Sequence, residues 1–210
     1  MLKLECVSKS YRKRRVLSEV SHSFGTGLNL LVGPSGAGKS TLLRLCATVE
    51  KPTSGGLMWN AKPYAKIKRQ LRSELGYAPQ IVDLPLNVTG MEFMLHIAAL
   101  KGLGRGAREQ AAELLHQLGL SLDADQRIVG WSGGMRRRLI LAQALLGTPK
   151  LLALDEPTAE LDKETAARVA DLISHAAQSA TVLLTTHLTE HFQKAGANTL
   201  RVADGGLTQV

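Results

Sequence analysis

The chain alternates short apolar runs with longer amphipathic stretches. The runs "LNLLV" (28–32), "LLAL" (151–154) and "TVLLTT" (181–186) are apolar almost throughout, which is typical of strands buried on both faces of a sheet. Helical periodicity follows each run: after Lys39, over "KETAARVADLISHAAQ" (163–178), and briefly near the C-terminus. Buried strands that alternate with helices predict an α/β fold in which helices flank a mainly parallel sheet.

The rest of the pattern predicts further elements around this sheet. The first thirty residues, beginning with Leu2, Leu4 and Cys6, alternate apolar and polar positions and therefore predict paired strands. Further strands are expected at "GGLMWN" (55–60) and "LGYAPQ" (75–80), and two strands should end the chain. Helices are expected from about 89 to 119, with a break near "KGLGRG", and from Ser132 to about Leu146.

Composition narrows the class of protein. A chain of 210 residues with 44% apolar residues favours one folded domain over 1–210, and no apolar run approaches the 18 residues of a membrane span. The N-terminus lacks the pattern of a signal peptide, and two cysteines fit a reduced cytoplasm, where we expect Cys6 and Cys46 to be inert core thiols. The net charge of +8 is compatible with nucleic acid, an anionic membrane surface or a polyanionic ligand, although 4% aromatic residues weaken the case for single-stranded nucleic acid. We expect "RKRR" (12–15) to be a solvated turn between strands.

A phosphate-binding loop follows the first buried strand. The segment "GPSGAGKST" (33–41) fits G-x-x-x-x-G-K-[ST] and precedes a helix, which is the context that this motif requires. Glycines let backbone N–H groups curl around phosphate oxygens, and the helix start adds a positive dipole end. Lys39 should reach the terminal phosphates and Ser40 should hold Mg²⁺. The predicted nucleotide-binding residues here are Gly33, Pro34, Ser35, Gly36, Ala37, Gly38, Lys39, Ser40 and Thr41.

Two acidic residues end the second buried strand, in "LLALDEPTAELD" (151–162). Ligands of open α/β sheets bind at the carboxyl edge of the strands, so Asp155 can bind Mg²⁺ there, often through water. Glu156 can orient and deprotonate an attacking water. This segment therefore predicts the metal partner and the general base of a phosphate-cleaving site.

A second phosphate-binding turn is predicted a hundred residues after the first. In "WSGGMRRRL" (131–139) a Ser precedes two glycines at an expected helix start. A third motif, "HLTEH" (187–191), fits the zinc-peptidase pattern H-x-x-E-H, which needs both histidines on one helical face. His187 directly follows the third buried strand, so a strand-end position and not a zinc site is expected.

Taken together, these motifs resemble the ATP-binding subunit of ABC transporters over essentially the whole chain. "GPSGAGKST" is similar to the Walker A motif and "LLALDE" to Walker B, while Gln80 in "GYAPQ", "ELD" (160–162) and His187 match the Q-loop, the D-loop and the switch histidine. Tyr11 falls where the family places an aromatic residue that stacks on adenine, and "WSGGM" falls at the signature, usually written L-S-G-G-Q.

The resemblance implies a P-loop fold with an N-terminal antiparallel β subdomain and a helical subdomain, about 82–147, that carries the signature. It implies that two copies pair head to tail, so that Ser132, Gly133 and Gly134 of one chain contact the ATP held by the other. It assigns catalysis to Lys39, Gln80, Glu156 and His187, and Mg²⁺ binding to Ser40, Gln80 and Asp155. Trp131 departs from the signature and is expected to pack on the helical subdomain, whereas Arg136–Arg138 are expected on a solvated or partner-contacting face.

The resemblance also implies partners and a place in the cell. A transporter subunit would work with a second copy and a separate transmembrane permease, on the cytoplasmic side of the membrane and without direct nucleic-acid binding. "LRSELGYAPQ" (71–80) with "NVTGMEFMLHIAALKGL" (87–103) is similar to the exporter branch. The alternative is a soluble ABC ATPase that acts on ribosomes or DNA; such members usually carry two ATPase units or a long coiled coil, and this sequence has one unit.

Overall fold

The computed structural model describes residues 1–81 and 83–210 and contains two sheets. The first sheet is antiparallel, with strands in the order β2-β1-β4-β5. Its strands are β1 (Leu2–Tyr11), β2 (Arg14–Phe24), β4 (Ser54–Trp59) and β5 (Lys62–Pro63). This confirms the predicted N-terminal antiparallel unit. The turn expected over 12–15 is shorter: the exposed residues Arg12 and Lys13 form it, whereas Arg14 and Arg15 already pair with β1.

The second sheet is mainly parallel, with strands in the order β10-β9-β3-β8-β7-β6. Its parallel strands are β3 (Gly27–Val32), β6 (Leu75–Ala78), β7 (Leu151–Asp155), β8 (Thr181–Thr185) and β9 (Asn198–Ala203), and β10 (Gly206–Gln209) pairs antiparallel with β9. The three apolar runs predicted as buried strands are β3, β7 and β8, and every residue of β7 and β8 is buried. The predicted α/β class is confirmed.

Seven α-helices surround the sheets in the described ranges. They are α1 (Lys39–Cys46), α2 (Tyr64–Ser73), α3 (Gly90–Lys101), α4 (Ala107–Gln117), α5 (Gly133–Leu145), α6 (Lys163–Ala176) and α7 (Thr189–Lys194). Short 3₁₀ turns lie at Ser121–Asp123 and Ile128–Gly130. In the described part of the chain, no helix has the length and apolar character needed to cross a membrane.

Helix α2 is missing from the sequence prediction. Its apolar residues Tyr64, Ile67 and Leu71 have helical spacing and pack against the core, but lysines, arginines and a glutamine dilute the pattern between them. The segment between β6 and β7 contains the helices α3, α4 and α5, which agrees with the helical subdomain predicted there. The boundaries 82–147 stay a prediction, and position 82 lies outside the described residues.

Cys6 corrects the prediction of two core thiols. Cys46 is fully buried, and burial raises the pKa of its thiol to about 12. Cys6 is exposed because the register of β1 against β2 shifts between Leu4 and Val7, and Cys6 has a φ of 48°. Such a bulge interrupts the two-residue alternation, so Val7 takes the next inward position.

The core has two parts that share the parallel sheet. One part joins one face of the sheet to α3, α4, α5 and α6, and the other joins the opposite face to α1, α2 and the antiparallel sheet. Residues of β7 alternate between them, since Leu152 and Leu154 belong to the first and Leu151 and Ala153 to the second. Because β3, β6, β7 and β8 run parallel within this sheet, their carboxyl ends meet at one edge of it.

Candidate functional site

The predicted phosphate-binding loop connects β3 to α1. Gly33 has a φ of 143°, and a Cβ there would lie 2.2 Å from Val202 O, so only glycine fits. Gly38, with a φ of 106°, is the N-cap residue of α1 and has no side chain to occupy the first N–H groups of the helix. Lys39 Nζ donates to Gly33 O at 2.8 Å and to Pro34 O at 3.0 Å, so the lysine ammonium lies over the loop. This arrangement is suited to an anion.

A cavity of about 410 Å³ opens beside this loop at the carboxyl edge of the sheet. Its lining combines the loop with the ends of three further strands. The sequence-predicted residues that line it are Gly33, Ser35, Gly36, Gly38, Lys39, Ser40, Thr41, Gln80, Asp155, Glu156 and His187. Residues that are distant in sequence thus come together, and the lining additionally includes Arg14 and Arg44, two cations that the sequence analysis did not assign to the site.

Asp155 ends β7 and is buried beside the cavity. Thr185 Oγ1, on the neighbouring strand β8, donates to Asp155 Oδ1 at 2.7 Å, and the two residues are paired in register. Among the described residues, no three of His, Cys, Asp or Glu are arranged so that they could hold a metal ion by themselves. One carboxylate with the Ser40 hydroxyl and the Gln80 amide nevertheless fits Mg²⁺, because this ion keeps several waters and takes its other ligands from phosphates.

Glu156 follows Asp155 with a left-handed φ of 52°. Its N–H donates to Thr185 O at 3.1 Å and to Thr185 Oγ1 at 3.0 Å, which stabilises this uncommon backbone conformation. Burial raises the pKa of the Glu156 carboxyl above its usual 4.5, while the nearby His187 acts in the opposite direction. His187 is 92% exposed at its side chain and its Nε2 lies 3.6 Å from Glu156 Oε1. A half-buried carboxyl with a raised pKa is suited to general-base chemistry.

Tyr11 lies at the end of β1, next to the cavity and outside its lining as far as the described residues define it. Its hydroxyl donates to Glu50 Oε2 at 2.6 Å and accepts from Arg44 Nη2 at 3.2 Å. Although burial pushes the pKa of Glu50 upward, hydrogen bonds from Tyr11, Lys9 and Arg44 hold it at about 2. Glu50 therefore fixes the exposed ring of Tyr11 relative to α1, a role that sequence analysis missed.

The second predicted phosphate-binding turn opens α5. Ser132 is the N-cap residue, and its Oγ accepts from Met135 N at 3.2 Å. Ser132 and Gly133 are exposed, and within the described residues neither they nor Gly134 line the cavity beside Lys39. The turn is therefore open to a ligand that this chain's own phosphate-binding loop does not hold.

Trp131, just before this turn, is 4% exposed and confirms the expected packing on the helical part. A Cβ on Gly90 of α3 would lie 2.4 Å from its ring, so the indole occupies the space that the glycine leaves. The ring belongs to the same core cluster as α3 and α4. The departure from leucine in the signature is thus a packing feature that leaves Ser132, Gly133 and Gly134 free.

Within the arginine run, buried Arg137 corrects the expectation of a solvated or partner-contacting face, while Arg136 and Arg138 are partly exposed. Arg137 is 9% exposed and donates to Gln80 O and Glu156 O, each at 3.0 Å. Arg138 donates to Leu118 O at 2.9 Å, and Arg136 to Val129 O at 3.0 Å. Each guanidinium satisfies carbonyls of a neighbouring segment, so the run holds α5 in place. Its charge alone gives no sign of this, because solvated and carbonyl-bound arginines look alike in sequence.

The "HLTEH" segment does not form a zinc site of the helical kind. His187 precedes α7, while His191 lies within it and its Nε2 is 3.3 Å from Asp171 Oδ1. The two histidines therefore do not share a helical face, as the strand before His187 predicts.

Comparison with known proteins places this geometry in a family. A family model described as "ABC transporter" matches residues 17–159. The ABC transporter ATP-binding protein YxlF of Bacillus subtilis, itself uncharacterized, is 39% identical over 190 residues, which are 90% of this chain and 63% of that protein. The daunorubicin resistance ATP-binding protein DrrA2 of Streptomyces coeruleorubidus is 34% identical over 208 residues, 98% of this chain and 64% of the relative. The chain thus spans less than two thirds of the length of these curated relatives.

A solved structure shows the same fold. The dimeric ATP-binding cassette MJ0796, in a post-hydrolysis state bound to ADP and Pi, superposes with a TM-score of 0.89 and 26% identity, over 100% of this chain and 98% of that one. The match to the family model covers the phosphate-binding loop, the acidic strand end and the serine–glycine turn in one stretch. The chain belongs to the ABC transporter ATP-binding family, and its nucleotide-binding fold is that of an ABC ATPase domain.

Proposed function

We propose that this chain hydrolyses ATP to power a membrane transporter, with two copies joined head to tail around the nucleotides. The observation that carries the proposal is the separation of the two anion-binding turns. Gly33–Thr41 lines the cavity with Gln80, Asp155, Glu156 and His187, whereas Ser132–Gly134 opens outward elsewhere. A second chain is the simplest source of a phosphate for the outer turn.

The cavity residues divide the chemistry among themselves. The N–H groups of the loop and Lys39 bind the phosphates, and Ser40, Gln80 and Asp155 would hold Mg²⁺. When bound, this ion neutralises charge that develops on the phosphates. Glu156 accepts a proton from the attacking water, which its raised pKa favours near neutral pH. His187 lines the cavity with its Nε2 3.6 Å from Glu156 Oε1, and would hydrogen-bond the γ-phosphate there.

The Tyr11 ring would stack on the adenine at the rim of this cavity. Its position beside Arg44, which lines the cavity, supports that role. Pro34 and Ala37 are part of the loop without lining the cavity within the described residues, and they would support its shape: Pro34 O accepts from Lys39 Nζ at 3.0 Å and from Ala37 N at 3.2 Å.

The membrane partner would be a separate permease, with this subunit peripheral on the cytoplasmic face. Export is the favoured direction, because the relatives of this chain include one named for daunorubicin resistance and the segment 71–103 resembles exporter subunits. We propose that residues 1–210 act as one nucleotide-binding domain whose helical part, about 82–147, presents the signature turn to the partner.

A complementation experiment tests the two-chain site. Gly134→Asp puts a carboxylate against the partner's γ-phosphate, a like-charge contact that costs several kcal/mol once desolvated. It should bind ATP normally as a monomer, yet fail to dimerise or hydrolyse ATP. Lys39→Ala should lose ATP binding at its own loop. Mixing the two variants rebuilds one site with Lys39 facing an intact turn, and hydrolysis should return. Loss of monomeric ATP binding by Gly134→Asp would contradict the head-to-tail site.

A further inference from the structure

The buried guanidinium of Arg137 bridges three segments of the site. Nη1 donates to Glu156 O and Nη2 to Gln80 O, each at 3.0 Å, and Nη2 also lies 3.5 Å from Glu160 Oε1. Gln80 and Glu156 follow two neighbouring strands, β6 and β7. One planar group on α5 thus contacts the backbone of two residues whose side chains line the nucleotide cavity.

These contacts restrict the residues that the proposed reaction needs most. Glu156 has a left-handed backbone, with its N–H fixed by Thr185 and its C=O fixed by Arg137. Without the second contact, the backbone of Glu156 is held only at its N–H, and its Cα with the attached carboxylate can shift relative to the attacking water. Because both carbonyls share one guanidinium, the positions of Gln80 and Glu156 are also linked to each other.

Arg137 stands one helical turn beyond Gly133, on the same helix that Ser132 caps. A Cβ on Gly133 would lie 3.4 Å from Glu160 Oε2, so the carboxylate that Arg137 attracts reaches the signature turn. The guanidinium therefore connects the turn proposed to meet the partner's nucleotide with the residues that act on this chain's own nucleotide.

We propose that Arg137 is a positioning residue: it holds Gln80 and Glu156 at the distance from the signature helix that hydrolysis requires. This role rests on the proposed ATPase function and deepens it. Lysine cannot substitute fully, because an ammonium is a compact charge without the rigid pair of donors that spans two carbonyls. Methionine keeps much of the buried stem and removes both donors.

The decisive measurement is a double-mutant cycle with Glu156→Gln. Arg137→Met alone should lower kcat roughly tenfold, the scale of losing hydrogen bonds from a charged donor, and should leave the KM for ATP nearly unchanged. In the Glu156→Gln background, single-turnover hydrolysis should show a smaller further loss from Arg137→Met, because the part of the effect that acts through Glu156 is already gone and only the part through Gln80 remains. Arg137→Lys should restore part of kcat in the otherwise unchanged chain.

Arg138→Met is the matched control. It removes a guanidinium that anchors the same helix through Leu118 O at 2.9 Å, Gly119 O at 3.4 Å and Gly134 O at 3.4 Å, but contacts no described residue that lines the cavity. Arg138→Met should lower the rate of hydrolysis by the same factor whether position 156 is Glu or Gln. The thermal unfolding of this variant measures how much stability is lost when α5 alone is loosened.

Two results would overturn the role of Arg137. One is an equal loss from Arg137→Met in both backgrounds, and the other is a rise in KM with kcat unchanged. Near-normal turnover by Glu156→Gln alone is a different outcome: it would remove Glu156 as the general base and would count against the proposed mechanism, on which the role of Arg137 depends.

Discussion

At the scale of single residues, the residues proposed to act on the nucleotide are held in place by hydrogen bonds from neighbouring side chains. Glu156 holds a left-handed backbone that ordinarily costs about 1–2 kcal/mol for a residue other than glycine. Thr185 stabilises it with two acceptors and also donates to Asp155. Glu50 fixes the side chain of Tyr11, since its Oε2 lies 2.6 Å from the Tyr11 hydroxyl and 2.9 Å from Lys9 Nζ. The chemistry-bearing residues are fixed by such neighbours.

The binding of ATP and of tripolyphosphate, which lacks the base, can distinguish the contribution of the Tyr11 ring from that of the phosphate site. Tyr11→Ala should weaken ATP binding by about 1–3 kcal/mol, the scale of one base stacked on an aromatic ring, and leave tripolyphosphate binding unchanged. Glu50→Ala should weaken ATP selectively too, by less, because it only frees the ring and Arg44. Isothermal titration with both ligands measures this.

Tyr11→Phe is the control for the hydroxyl, since it keeps the ring and loses the contact with Glu50. Equal weakening of ATP and tripolyphosphate by Tyr11→Ala would mean that the tyrosine supports the fold of the loop and does not touch the base.

Where a residue type has one common use, prediction from sequence finds the position of the residue, while its chemical role stays a prediction. Lys39 in its glycine-rich loop and Asp155 at a buried strand end are such residues. It fails for Arg137, because the sequence shows three successive arginines and only the packing of α5 decides which one is buried. It also misses Glu50, whose three donors come from β1 and α1.

At the scale of elements, α5 begins with a residue that has two possible uses. Ser132 Oγ accepts from Met135 N as a cap, and the same hydroxyl is proposed to meet the partner's γ-phosphate. Both uses require a short polar residue at a helix start, which is why "WSGGM" predicts the helix and the phosphate turn together. The apolar periodicity does not predict α2, because most residues between its apolar positions are charged.

Two substitutions of Ser132 distinguish capping from phosphate binding. Ser132→Ala should lower the free energy of unfolding by about 1 kcal/mol through loss of the cap. Ser132→Asp keeps a capping oxygen, so stability should stay close to that of the unchanged chain, while its charge opposes the γ-phosphate and should abolish ATP-dependent dimerisation. Chemical denaturation and light scattering with ATP give the two readouts. Normal dimerisation by Ser132→Asp would leave Ser132 with capping alone.

At the scale of the whole molecule, the parallel sheet joins two cores. Each core contains one of the two tryptophans, Trp131 beside the helical part and Trp59 beside the antiparallel sheet. The sequence predicts both sheets from their periodicity. It predicts that the apolar runs are buried on both faces, but it does not predict which residue of a run faces which core, because such runs carry no alternation to assign a face.

The two tryptophans allow a test of cooperativity. Trp59→Phe leaves fluorescence from Trp131, and Trp131→Phe leaves fluorescence from Trp59. In each variant the fluorescence midpoint in urea should coincide with the midpoint by circular dichroism, because the shared strands make the two cores unfold together. A separate, earlier transition seen by Trp131 would show that the helical part unfolds on its own.

The pairing of Asp155 with Thr185 has a consequence for how this chain can change in length. Loops at the surface accept insertions and deletions at modest cost. One residue removed from β7 would turn every later side chain of that strand to the opposite face, because strand side chains repeat every two residues. The deletion would exchange residues between the two cores and turn Asp155 away from Thr185. We therefore expect the connections to tolerate a change in length, and a one-residue deletion within β7 or β8 to destabilise the fold.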